Sequence, residues 1–325
     1  MNTTPSFQNV DSTTARGRAI VLGGGGSTGN AWLIGVVAGL FDAGLDVTTA
    51  DVTIGTSAGS TAAAQIAGAS PTDLYAATLV APPQRTGPVG SGPGRAPIAS
   101  AADNMERTRK IIVAAHDVAD MRRSMGAAAL DLDPAGDRST QWRAMVASRL
   151  PSQDWPKRTV LITAVDARTG ESVVFDRHSG VDLVDAVAAS CSSGFAHRIG
   201  DGRYIDGGYR TNAENADLAA GCGRVLVLSP FGGRSRTPVE WGTHLETQVA
   251  ELRASGSRVE TIFPEANAEH MFGANAMDLS LRPAAARAGY DQGRARAEQL
   301  ADFGVARLLD VERAPAPSVN SCPPM

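Results

Sequence analysis

Three cysteines in 325 residues, at positions 191, 222 and 322, cannot all pair within the chain and show no metal-ligand spacing. They fit a reducing compartment. Long hydrophobic runs are also missing: the longest apolar stretch, Ala31 to Phe41, is too short to span a bilayer and is broken by Gly35 and Gly39. The residues before Ala19 are polar and contain no apolar core, so no cleaved signal peptide is expected, and the expectation is a soluble, cytoplasmic protein. An excess of positive charge is absent as well. With 30 Lys and Arg against 34 Asp and Glu, the formal net charge is −4, which argues against a nucleic-acid groove. The basic runs Arg107-Thr108-Arg109-Lys110 and Arg122-Arg123 are interleaved with Asp103, Glu106, Asp117 and Asp120 and read as solvated helix faces.

What is present is the composition of an ordinary globular protein, 43% hydrophobic and 20% charged, long enough for one large α/β domain or two small ones. β-rich runs recur at 18–22, 52–54, 159–165, 172–175, 203–205, 224–228 and 258–263. Helical patterns fill the gaps near 30–43, 58–67, 70–80, 104–125, 138–150, 182–190, 243–255 and 283–301. Strands alternating with helices imply a mostly parallel sheet covered on both faces. The expected organisation is a disordered N-terminus at 1–17, one domain at 18–311 and a disordered tail at 312–325. Ala81 to Pro97 is too rich in Pro and Gly for a regular element and reads as a long loop. The helical stretch after it, to about residue 150, reads either as a surface insertion or as a cap over a site.

Two glycine-framed turns lie where β-rich runs give way to helical ones. Gly23-Gly24-Gly25-Gly26-Ser27-Thr28-Gly29 follows Ala19 to Leu22, and Gly55-Thr56-Ser57-Ala58-Gly59 follows Val52 to Ile54. Two neighbouring parallel strands would present a nest of backbone N–H groups beside an exposed serine, an arrangement suited to acyl-ester hydrolysis. Both turns spell G-x-S-x-G, so Ser27 and Ser57 are rival nucleophiles. Ser57 is preferred because Ala58 and Gly59 let a strained turn approach its helix, whereas Ser27 lies in a glycine run that offers N–H donors.

A serine hydroxyl needs a base. The five histidines, at 116, 178, 197, 244 and 270, stand in contexts that read as surface or structural. A carboxylate is the better candidate. In Asp201-Gly202-Arg203-Tyr204-Ile205-Asp206-Gly207-Gly208 a short strand ends at Asp206, with two glycines behind it that allow a tight fold. A bare Asp-Gly-Gly is often only a turn; beside the two earlier turns it fits the base of a Ser-Asp dyad.

In their order and spacing, Gly24 to Gly29, Gly55 to Gly59 and Asp206-Gly207-Gly208 resemble the three signatures of the patatin-like phospholipases, bacterial lipid acyl hydrolases. The similarity runs from about Arg18 to Ala297 and includes Asp185 to Cys191 and Asn215-Ala216-Asp217-Leu218-Ala219. The resemblance implies a three-layer α/β/α sandwich with a mostly parallel sheet. It also implies Ser57 as nucleophile, Asp206 as its base, the amides of Gly25, Gly26 and Ser27 as oxyanion hole, and no metal or other cofactor. A lipid or acyl-ester substrate follows, with room for transient contact with a membrane surface; the oligomeric state is left open. Two departures stand out. Thr28 occupies a position where the family commonly carries Arg or Lys, which leaves neutral esters or thioesters open as substrates. Ser192 to His197 lacks a proline that often precedes the strand before Asp-Gly-Gly.

Three other readings compete. A dinucleotide binder could use Gly24-x-Gly26-x-x-Gly29, but it needs an acid at the end of the next strand, where this chain has Gly55-Thr56-Ser57. An α/β-hydrolase triad could recruit His244 or His270, although Ser57 comes early for that fold. A non-catalytic lipid-binding or regulatory relative would keep the fold without the chemistry.

Overall fold

The structure, a computed structural model, describes residues 17–80, 101–303 and 305–306. The loop expected at Ala81 to Pro97 and the disorder expected at 1–17 and 312–325 fall outside the described residues, Gly17 apart. In chain order the elements are β1 (Arg18–Leu22), α1 (Gly26–Asp42), β2 (Leu45–Asp46), β3 (Val52–Gly55), α2 (Ala58–Gly68) and α3 (Pro71–Leu79). Next come α4 (Ala101–Ala114), α5 (Val118–Leu132), α6 (Arg138–Ala147), β4 (Thr159–Asp166), β5 (Ser172–Phe175) and α7 (Leu183–Ser190). The last are β6 (His197–Ile199), β7 (Gly202–Asp206), β8 (Arg224–Leu228), α8 (Leu245–Ala254), β9 (Arg258–Ile262), α9 (Arg282–Arg296) and β10 (Val305–Ala306).

Eight strands form one sheet in the order β6-β7-β4-β3-β1-β8-β9, with β5 also paired to β4. The run β4-β3-β1-β8-β9 is parallel, and β5, β6 and β7 are joined antiparallel. β2 and β10 make a separate two-stranded antiparallel sheet.

The alternation of side chains along β1 and β8 builds the layers. Ile20, Leu22, Leu226 and Leu228 face one core with Trp32, Leu33, Val36 and Leu40 of α1 and Ala285 and Ala286 of α9. Ala19, Val21, Val225 and Val227 face the other, against Leu245, Val249 and Leu252 of α8. Strands buried on both faces read as continuous apolar runs, which is why Ala19 to Leu22 shows no polar alternation. The result is an α/β/α arrangement around a mostly parallel sheet.

The helical stretch after residue 100 is two helices where one was expected over 104–125. The break falls at Ala115 to Asp117 because Asp117 caps α5. Its carboxylate accepts from Asp120 N–H (2.7 Å), while Asp120 in return accepts from His116 N–H (3.1 Å). The N-cap bond and the bond from the residue before it start a new helix rather than continuing the old one. Met121, Met125 and Ala129 of α5 pack on Val165 and Ala167 at the end of β4 and on Ile205 of β7, which ties this unit to the sheet. No helix among the described residues is long and apolar enough to cross a membrane.

Candidate active site

The register of the sheet brings Ser57 and Asp206 together. β3 ends at Gly55, opposite Ile162 of β4, and the chain then turns through Ser57 into α2. β7 arrives from the opposite direction and ends at Asp206, opposite Ala164, two positions further along the same strand. The C-terminal ends of a parallel and an antiparallel strand thus converge on one stretch of β4. Ser57 Oγ donates to Asp206 Oδ2 at 2.8 Å, and the other carboxylate oxygen accepts from Gly208 N–H at 2.8 Å.

Ser57 is held in a conformation that L residues avoid, with φ 52° and ψ −117°. Neighbouring groups fix it there. Its N–H donates to Ser190 Oγ (2.9 Å), and its carbonyl accepts from Ser60 Oγ (2.6 Å) and Cys191 Sγ (3.1 Å). The end of α7 therefore buttresses the turn. Gly59 is the residue that lets α2 start so close to β1, since a Cβ there would lie 1.8 Å from the Leu22 carbonyl oxygen.

Asp206 is buried, and burial pushes its carboxyl up to about 6 against the pull of the Gly208 N–H and the Ser57 hydroxyl. A carboxylate in that range can exchange a proton nearer neutrality than an ordinary aspartate. Burial likewise pushes the Cys191 thiol up to about 11, so it stays protonated behind the turn and serves as a donor.

The glycine run lies beside Ser57 and Asp206. Gly24 N–H donates to the Ala213 carbonyl (2.8 Å) and Thr28 N–H to the Ala276 carbonyl (3.0 Å). Between them, the N–H groups of Gly25, Gly26 and Ser27 find no acceptor among the described residues, at the first turn of α1 where no intrahelical partner exists. A cavity of about 2050 Å³ opens over this place, and Gly25, Gly26, Ser27, Ser57 and Asp206 all line it. Part of its wall comes from α4, α5 and α6 through Met105, Ile112, Met121 and Trp142.

The other candidates are not paired in this way. Ser27 Oγ accepts from the Arg282 guanidinium at 3.1 Å and bonds no carboxylate among the described residues. None of the five histidines lines the cavity. His197 is buried against Asp185 (3.1 Å), His244 meets the Thr237 carbonyl (2.8 Å) and His270 the Asn267 carbonyl (2.9 Å). Asp51, the acid nearest the glycine run in the dinucleotide reading, accepts from Arg18 N–H at 2.8 Å. Thr28 is fully buried and does not line the cavity, so this position is a packing position here.

Reasoning from residues alone missed Asn215 as the link between the two turns. Fully buried, with φ 56°, it donates from Nδ2 to Thr56 Oγ1 (3.0 Å) and to the Gly207 carbonyl (3.0 Å). It thereby joins the neighbours of Ser57 and Asp206. Asparagine tolerates the left-handed conformation, a signal visible in sequence only once the turn is known.

A family model described as patatin-like phospholipase matches residues 20–219, more than half of the chain and the segment that carries both turns and Asp206. The chain belongs to the patatin-like phospholipase family. This places it among lipid acyl hydrolases. A search of curated proteins gives no match. Among solved structures, this patatin-like chain is similar to VipD from Legionella pneumophila, at 13% identity and TM-score 0.39, covering 88% of this chain and 67% of that one. It is also similar to the type III effector protein ExoU, at 14% identity and TM-score 0.33, covering 86% of this chain and 54% of that one. The patatin-like chain thus spans about two thirds of the length of VipD and about half that of ExoU.

Proposed function

We propose that this protein is a serine lipid acyl hydrolase that cleaves carboxylic ester bonds of lipids through a Ser57-Asp206 dyad and an acyl-enzyme intermediate. The observation that carries the reading is the 2.8 Å hydrogen bond from Ser57 Oγ to a buried carboxylate, on the wall of a cavity that also presents three N–H groups with no acceptor among the described residues. Ser57 Oγ attacks the ester carbonyl carbon as its proton passes to Asp206, which then gives that proton to the leaving alkoxide. Water, deprotonated by the same carboxylate, attacks the acyl-serine and releases the fatty acid. The N–H groups of Gly25, Gly26 and Ser27 serve the carbonyl oxygen when it becomes an oxyanion. One such donor is worth roughly 10² to 10³ in rate.

The cavity has room for acyl chains. Val80, Met277 and Leu279 are exposed apolar side chains along its wall, which supports transient contact with a lipid surface. The helical unit α4 to α6 acts as a cap in this reading, because it supplies apolar wall.

A fluorophosphonate probe is expected to label the wild type once per chain, with mass spectrometry placing the adduct on Ser57. Labelling should survive in Ser27→Ala and vanish in Ser57→Ala. His244→Ala and His270→Ala should each change esterase rate by less than about tenfold, well short of the loss of a general base. An adduct on Ser27, or a loss of several hundredfold at either histidine, overturns the dyad.

A further inference from the structure

Arg282 opens α9, far outside the segment that the family model matches. Its Nη1 donates to the Ser27 carbonyl (2.7 Å) and to Ser27 Oγ (3.1 Å), and its Nη2 donates to Asn30 Oδ1 (3.2 Å). The peptide unit between Ser27 and Thr28 is therefore pinned at both ends, its carbonyl by Arg282 and its N–H by the Ala276 carbonyl. No carboxylate forms an ion pair with Arg282 among the described residues, and the neighbouring charge it feels is another cation, Arg149. Both arginines line the cavity.

A largely buried guanidinium without a counter-charge is costly, and such a placement needs a structural reason. The crossing of α1 and α9 supplies the rigidity. Gly35 and Gly39 of α1 meet Gly289 and Gly293 of α9 so closely that a Cβ at any of the four would lie 2.1 to 2.3 Å from a backbone oxygen of the other helix. Backbones in direct contact leave little freedom, so the first residue of α9 has a defined place against the first turn of α1.

We propose that Arg282 is the positioning residue of the oxyanion site: by holding the Ser27 carbonyl and hydroxyl it aims the Gly26 and Ser27 N–H groups at the reacting carbonyl oxygen, and its unpaired charge favours the oxyanion. The guanidinium that reaches the glycine loop thus comes from outside the segment that the family model matches. This inference rests on Ser57 being the nucleophile.

The test is steady-state hydrolysis of p-nitrophenyl butyrate by wild type, Arg282→Gln and Arg282→Lys, with fluorophosphonate labelling and a thermal melt of each. Arg282→Gln should lose about 10²-fold in kcat with KM changed less than about threefold, because the lost interaction belongs to the transition state. Arg282→Lys should recover part of the loss, since it keeps the charge but cannot bridge Ser27 and Asn30 in the same way. A Ser57 adduct that still forms, together with a kcat within threefold of wild type in Arg282→Gln, overturns the proposal. Should Arg282→Gln not fold, Arg282→Lys decides: a kcat reduced about tenfold at unchanged KM supports the role, and a wild-type kcat refutes it. Absence of a Ser57 adduct in the wild type is instead the failure of the dyad reading.

Discussion

Ser57 Oγ and Asp206 Oδ2 stand 2.8 Å apart although 149 residues separate them in the chain. Their meeting depends on β4, which pairs in parallel with the strand before Ser57 and antiparallel with the strand that ends in Asp206. Gly208 N–H occupies the other carboxylate oxygen, which leaves Oδ2 directed at the serine.

Protonation of Asp206 should set the acid limb of activity. Burial pushes this carboxyl up to about 6, so kcat/KM should fall about tenfold per pH unit below that value and level off above it. The same shift has a stability consequence of opposite sense. A carboxyl that holds its proton more tightly in the folded state loses stability as pH rises from its ordinary value, about 3.8, towards about 6, and the loss persists above. Asp206→Asn should thus be nearly inactive yet more stable than wild type at pH 8, with a gap on the order of 3 kcal/mol that closes towards pH 4. Paired pH-rate and pH-melt series check both signs; a gap that widens towards pH 4 contradicts the argument.

Backbone strain at Ser57 predicts a difference between two inactive variants. At φ 52° and ψ −117° glycine is at ease and alanine is not, so Ser57→Gly should be more stable than Ser57→Ala by about 1 kcal/mol. Equal denaturant midpoints for the two would mean that the turn relaxes when the hydroxyl is removed.

Asn215 should matter to rate as well as to stability. Replacing it with Ala removes the bonds to the buried Gly207 carbonyl and Thr56 hydroxyl, leaving these to Arg210 N–H and Thr163 Oγ1, and puts a less tolerant residue at φ 56°. A loss of about 2 to 3 kcal/mol is expected from these combined effects. Because the lost bonds join the neighbours of Ser57 and Asp206, kcat should drop at least about tenfold with KM nearly unchanged. A variant that melts lower but turns over normally would make Asn215 a structural residue only.

Local chemistry was legible in the amino-acid sequence. Apolar runs such as Ala19 to Leu22, the glycine turns at 23–29 and 55–59, and the Asp-Gly-Gly after a short strand are local signals, because burial periodicity and backbone freedom act over a few residues. They were enough to define an α/β fold, to place seven of the strands, and to select Ser57 and Asp206 as candidates. The split between α4 and α5 was also written locally, in the Asp117 and Asp120 cap, but a continuous apolar pattern outweighed it. Other features were decided only by the tertiary structure. Whether Ser27 or Ser57 faces a carboxylate depends on the register of β3 and β7 along β4. Likewise, the histidines stand away from the cavity because the packing of their own elements puts them elsewhere. Arg282 reaches Ser27 only because four glycines let α1 and α9 touch along their backbones, a contact between segments some 250 residues apart. Spacing within a single element cannot encode such a meeting, since it arises when two separately specified surfaces pack against the same sheet.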